Sequence, residues 1–288
     1  MTTATQRPAI AAALLTTVTL AVYLPTLSSL VRQWASDENY SHGFLVVPCA
    51  LYFAWQDRAR MAARGGAPRR VGFVVVAAAL MLFLAGQFGA ELFLSRVSLL
   101  VLIAGLVVSL AGMGPLRSLA FPLTLALLAI PLPAVVFNRI AFPLQLVASQ
   151  TAETVLSGVG IPVLREGNVL VLPAMTLEVA QACSGIRSLV SLVSVALLLG
   201  RLAGSRPWPR ALLAAMAIPI AIVANAARVA GTAMAAEWIG PAAAQGFFHE
   251  FAGWVVFVTA FALLLGVHRL LRRPPAYDGR PMPAPVVS

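Results

Sequence analysis

The sequence predicts an all-α polytopic membrane protein of about eight transmembrane helices, with one interfacial helix and a small periplasmic hairpin. Two observations predict it. Of 288 residues, 60% are hydrophobic and only 10% charged, and the mean hydropathy is +0.90. A water-soluble domain is about half apolar and a quarter charged, so it could not hide this much apolar surface. The apolar residues also gather in runs of roughly 20, the length a helix needs to cross a bilayer.

The runs place spans near 9–30, 41–56, 71–90, 93–112, 116–136, 185–202, 210–236 and 252–271. The first lacks a small-residue cleavage site before Trp34 and reads as a transmembrane helix, not a signal peptide. The second is short, and Trp34, Tyr40 and Trp55 flank it as expected interface anchors. The proline-rich tail, 274–288, is expected to be disordered, leaving 1–273 as one transmembrane domain.

Charge sets the orientation. The net charge is +10 and every basic residue is arginine. A basic chain can bind nucleic acid, but most of these arginines sit between the apolar spans, so no nucleic-acid partner is expected; the bilayer is. With eight spans, Arg58 to Arg70, Arg117, Arg201 to Arg210 and Arg269 to Arg280 fall on one side, which the positive-inside rule makes cytoplasmic. Both termini are then cytoplasmic, and Asp37, Glu38, Glu91, Glu153, Glu166, Glu178, Glu237 and Glu250 lie outside, together with the single arginines Arg32, Arg96, Arg139 and Arg165.

One outer segment is long, from about Phe137 to Cys183. Its first part reads as an interfacial helix: Gln145, Ser149 and Glu153 recur at four-residue spacing, with Leu144, Val147, Ala148 and Val155 near the other face, and Pro143 kinks or starts it. Its second part, Ile161 to Val179, reads as a hairpin turning at Glu166-Gly167-Asn168. Such a surface can dock an extended peptide; a plain connecting loop is the alternative.

Polar groups inside a bilayer are costly, so each is a candidate for function. Three stretches qualify. In Glu178-Val-Ala-Gln-Ala-Cys183-Ser184-Gly-Ile-Arg187, the cysteine precedes a helix start, where the dipole and Arg187 one turn on favour the thiolate. In Asn225-Ala-Ala-Arg228, the two polar residues share one face of the seventh span. In His249-Glu250, the imidazole stands before the last span, placed to move a proton near neutral pH. Topology sets all three in the outer leaflet region. By contrast, Cys49 lies among apolar neighbours and reads as filler.

A thiolate, an imidazole and a cation for the oxyanion are the minimum set for acyl transfer through a thioester. The residues leave other readings open. Arg228 can instead be a structural partner of Glu178 or Glu237. His42, also at the outer face, can bind substrate or serve as the base in place of His249. A transporter or exopolysaccharide-export subunit, with Asn225 and Arg228 lining a path for an anion, is the alternative function, and a purely structural scaffold is a third. No cofactor motif is visible, and His42, His249 and His268 lack metal-ligand spacing.

These stretches carry a resemblance. Ala182-Cys183-Ser184-Gly185-Ile186-Arg187, Asn225-Ala-Ala-Arg228, the later His249 and the early Tyr40-Ser41-His42-Gly43 resemble the exosortase/archaeosortase family over roughly residues 30 to 270. The resemblance implies a cysteine protease or transpeptidase of the bacterial inner membrane, with a periplasmic active site. Its substrates would be exported proteins bearing a C-terminal sorting signal: a Pro-Glu-Pro-type motif, one transmembrane helix and a basic tail. It implies Cys183, Arg228 and His249 as catalytic, with Arg187, Ser184, Asn225, His42 and Glu178 as supporting or substrate-binding residues.

Overall fold

Each apolar run expected to span the bilayer is helical along most of its length. The computed structural model describes residues 3–59, 69–179, 185–204, 206–244 and 246–271, with side chains at 3–13, 69, 185 and 243–250 left undescribed. The expected disordered tail, Arg60, Arg64, Cys183 and Ser184 lie outside the described residues. The helices are α1 (Thr3–Ser36), α2 (Gly43–Gln56), α3 (Arg69–Phe88), α4 (Leu92–Leu110), α5 (Met113–Leu128), α6 (Ala134–Gly158), α7 (Gly185–Leu202), α8 (Pro207–Trp238) and α9 (Gly246–Leu271).

The chain is an all-α polytopic membrane protein. Among the described residues, five stretches are long and apolar enough to cross a membrane: Leu14–Ser36, Arg70–Phe88, Leu92–Leu110, Pro207–Trp238 and Phe251–Leu271. Large apolar side chains such as Leu24, Phe73, Val223 and Trp254 stand exposed along them, as lipid-facing residues do and a soluble surface does not. α2 and α7 are shorter, at 14 and 18 residues. One expected span is corrected. The run over 116–136 does not stay helical; α5 stops at Leu128, because Pro131 and Pro133 lack the N–H that would continue it. Pro133 then caps the start of α6.

Packing divides into four clusters. α3 and α4 form a tight pair against which α1 packs through Tyr23, Ala79 and Leu102. Glycines bring these two helices together: a Cβ on Gly72 would lie 2.5 Å from the Ser109 backbone nitrogen, and one on Gly105 2.8 Å from that of Val76. Small residues at such seams let helix backbones meet where lipid supplies no hydrophobic drive. α1, α2, α5 and α7 share a second cluster around Trp34, Phe53 and Leu125, against which Cys49 packs as apolar filler. α8 is the hub of the rest, touching α6, α7 and α9. Its buried face is mostly alanine, including Ala217, Ala221, Ala226, Ala230 and Ala233.

The segment between α6 and α7 is richer than a hairpin. β1 (Leu164–Glu166), β2 (Val169–Val171) and β3 (Thr176–Glu178) form an antiparallel sheet in that order. Gly167, at φ +65°, takes the left-handed position of the two-residue turn between β1 and β2. The sheet buries Leu170, Leu172 and Leu177 against α6 and α8. α6 turns its polar stripe toward the sheet, not toward water. Asn168 donates to Gln145 (3.0 Å), Ser149 to the Gly167 carbonyl (2.9 Å), and Arg165 pairs with Glu153 (2.7 Å). Phe142, Val147 and Val155 are left exposed on its other side. Pro143 falls within α6, not at its start.

The α3–α4 seam yields a prediction. Gly72→Val drives a branched side chain into the Ser109 backbone and lowers stability by roughly 1–3 kcal/mol. The thermal midpoint of the purified chain should fall; an unchanged midpoint would mean that the two helices do not meet there.

Candidate functional site

Four elements meet at the end of the bundle that holds the start of α2 and of α7. The stretch before α2 is fastened by its aromatic and imidazole groups. Trp34 donates from Nε1 to the Ala129 carbonyl (2.8 Å), His42 from Nε2 to the Leu128 carbonyl (3.1 Å), and the Tyr40 hydroxyl accepts from the Leu132 N–H (3.3 Å). The last carbonyls of a helix have no partner within it, so Trp34 and His42 complete the end of α5. Burial pushes the Tyr40 phenol pKa up, keeping it protonated. Gly43 is required because a Cβ there would sit 2.4 Å from the Trp34 ring.

This arrangement corrects an expectation about the aromatics. Trp34 and Tyr40 are 7% and 6% exposed, so they are clasps within the core and not interface anchors; each has a polar atom that the α5 end satisfies. Trp55 is 67% exposed and carries the Arg58 guanidinium over its ring, as an interface residue can.

The same stretch reaches α7. Arg187, in the first turn of α7, pairs with Glu38 (2.8 Å) in the short 3-10 turn Glu38–Tyr40. Residues 180–184 lie outside the described residues, so the candidates Cys183 and Ser184 are located only by chain order: α7 begins at Gly185, two residues after Cys183. Glu178 stands exposed on β3, paired across from Val169, just before that segment.

Arg228 bridges the last two helices. Asn225 is 7% exposed on α8, and Arg228 is half-buried one turn further. A cleft between α7, α8 and α9 is lined by Ser188, Asn225, Arg228, Gly253 and Phe257. The guanidinium lies against the α9 backbone: a Cβ on Gly253 would be 3.0 Å from its Nη2 and 3.1 Å from its Cζ. Position 249 is four residues before Gly253, one turn earlier on α9. The His249 side chain itself is not described. Asn225 also borders a second small cleft with Leu144 of α6 and Leu189 of α7. Glu237 is engaged elsewhere, accepting from the Ala174 N–H (3.3 Å).

The family model for the transmembrane exosortase matches residues 34–266. The chain belongs to the transmembrane exosortase family. The exosortase match begins at Trp34 and ends at Gly266, so it takes in the clasp before α2, the segment holding Cys183, the Asn225–Arg228 turn and the start of α9. No curated protein and no solved structure gives a match.

Sequence reasoning missed two contributors to this candidate site. Glu38 offers only its place four residues before His42 as a signal, and its partner Arg187 is far along the chain. Gly253 reads as one more glycine in an apolar span, and only the arginine beside it explains it. The Glu38–Arg187 strut is testable. Both side chains are partly exposed, so a double-mutant cycle with Glu38→Ala and Arg187→Ala should show a coupling of about 0.2–1 kcal/mol in thermal unfolding. Strict additivity would remove the strut.

Proposed function

We propose that the chain is a membrane cysteine peptidase or transpeptidase that removes C-terminal, Pro-Glu-Pro-type sorting signals from exported proteins at the periplasmic face of the bacterial inner membrane. The observation that carries the reading is Arg228. Its guanidinium lies against Gly253, one turn past His249, and shares a cleft with Ser188 of the helix that follows Cys183. The family membership supports the same reading.

In the proposed reaction the Cys183 thiolate attacks the scissile carbonyl and forms a C–S bond. Arg228, a permanent cation with several donors, stabilises the oxyanion of the tetrahedral species. The C–N bond then breaks as His249 gives a proton to the leaving amine, and a thioester remains. His249 next takes a proton from water or a second nucleophile. That nucleophile attacks the thioester and returns the thiolate. Arg187, held by Glu38, and the start of α7 favour the ionised sulfur. His42 fastens the end of α5 through Nε2. The sheet and α6 offer an extended edge beside the site for the signal peptide.

The test follows a tagged substrate in cells. Cys183→Ala, Arg228→Ala and His249→Ala should each leave the signal uncleaved while the proteins remain in the membrane at normal levels, and a thioester with Cys183 should be trapped in the active chain. Normal processing by a well-expressed Cys183→Ala variant would reject the proposal, and a silent Cys183→Ser beside an inactive Arg228→Ala would favour transport. Gly253→Ala should displace the Arg228 guanidinium by a few tenths of an ångström and slow processing by about tenfold to a hundredfold. Gly266→Ala, with open space around it, should leave the rate unchanged.

A further inference from the structure

Another arginine is buried in the bundle, and the proposed reaction gives it no part. Arg96 lies one turn into α4 and is 4% exposed. An arginine at membrane depth is costly unless protein houses it, so each one is a candidate for function. Among the described residues its hydrogen-bond partners are both neutral. Nη1 donates to the Gln33 side-chain carbonyl (2.7 Å) and Nη2 to the Ser29 hydroxyl (3.3 Å), while Nε is buried without a partner. An apolar side chain would join α1 to α4 without burying a charge, so packing alone does not account for this guanidinium.

What the guanidinium holds is the exit of α1. Ser29 and Gln33 are four residues apart, on one face of its last turns, so a fork bonded to both resists rotation of the helix end. Gln33 is bonded twice: its side chain accepts from Arg96, and its main-chain carbonyl accepts from the Asp37 N–H (2.8 Å). Asp37 opens the 3-10 turn, and its carboxylate accepts from the Asn39 N–H (2.9 Å). The residue between them in the turn, Glu38, reaches Arg187. That ion pair cannot position itself. The Glu38 side chain is 79% exposed, and exposed pairs contribute too little to hold a turn in place. Trp34 ties the same exit to the end of α5; Arg96 ties it to α4, one half of the tight α3–α4 pair.

We infer that Arg96 is a positioning residue of the candidate site: it fixes the last turn of α1, and so places Glu38 against Arg187 in the first turn of α7. A hydrogen bond from a charged donor is roughly twice as strong as a neutral one, which suits a link that has to set the direction of a chain leaving its helix. The inference deepens the proposed function. It rests on that reading for the effect on processing and not for the placement of Glu38.

The test compares Arg96→Met with Tyr23→Phe in the full chain. Tyr23→Phe removes a hydrogen bond between the same two helices, from the Tyr23 hydroxyl to that of Ser98 (2.8 Å), but one with no link to the turn; it controls for lost packing. In Arg96→Met the effects of Glu38→Ala and Arg187→Ala on the thermal midpoint should become additive, and processing of the tagged substrate should slow by roughly tenfold to a hundredfold. Tyr23→Phe should keep both the coupling and the rate. Coupling that persists in Arg96→Met, full-rate processing by that variant, or equal slowing in Tyr23→Phe would each overturn the assignment. The coupling is read without substrate, so it decides the inference even where the chain processes nothing and the cysteine reading fails. Should Arg96→Met fail to reach the membrane, Arg96→Lys, which keeps the charge and loses the fork, carries the test with the same expected outcomes.

Discussion

A guanidinium within an apolar helix bundle has to be housed, and Arg228 sets how the last three helices meet. An arginine at membrane depth costs about 2.5–3.5 kcal/mol on insertion scales unless protein surrounds it. Here α9 presents a glycine to it, so the backbone can approach the charge without a side chain between. Alanines along α8 let α7 and α9 pack against it. The cleft between these helices is lined by Ser188, Arg228 and Gly253, one residue from each.

A second constraint fixes the other wall. The proline pair after α5 leaves carbonyls at the helix end, and Trp34 and His42 satisfy them. The stretch before α2 is thereby pinned, and from it Glu38 reaches Arg187. The bundle is polar at both ends but different in kind. Along α8, Arg210 and Arg228 are separated by 18 residues, about 27 Å at the rise of an α-helix. One end gathers polar side chains at helix starts around a narrow cleft. The other collects Arg117, Arg201 and Arg210 around an open cavity.

Much of this was legible in the sequence. The long apolar runs located the helices, and the cost of burying Arg228 singled out its turn before any coordinates. The exosortase resemblance rested on short polar stretches that the family match over residues 34–266 contains. What was not legible depended on partners distant in the chain. Trp34 and Tyr40 look like interface anchors because aromatic residues near a span usually are; only the α5 end shows why they turn inward. The polar stripe of α6 resembles a water-facing side because Gln145 and Glu153 find their partners on the sheet, 12 or more residues later. β3 is as short as β1 and β2 but has no Gly-Asn turn leading into it to mark it as a strand.

The central claim is that the thiol at 183 lies beside the start of α9, and a thiol-bridging measurement tests it most directly. In a chain carrying Cys49→Ala and His249→Cys, a short bifunctional thiol reagent should join Cys183 to the new cysteine, read as an intramolecular adduct by mass spectrometry. If each thiol reacts singly with a monofunctional reagent yet no bridge forms between them, the two residues do not share a site and the account is contradicted.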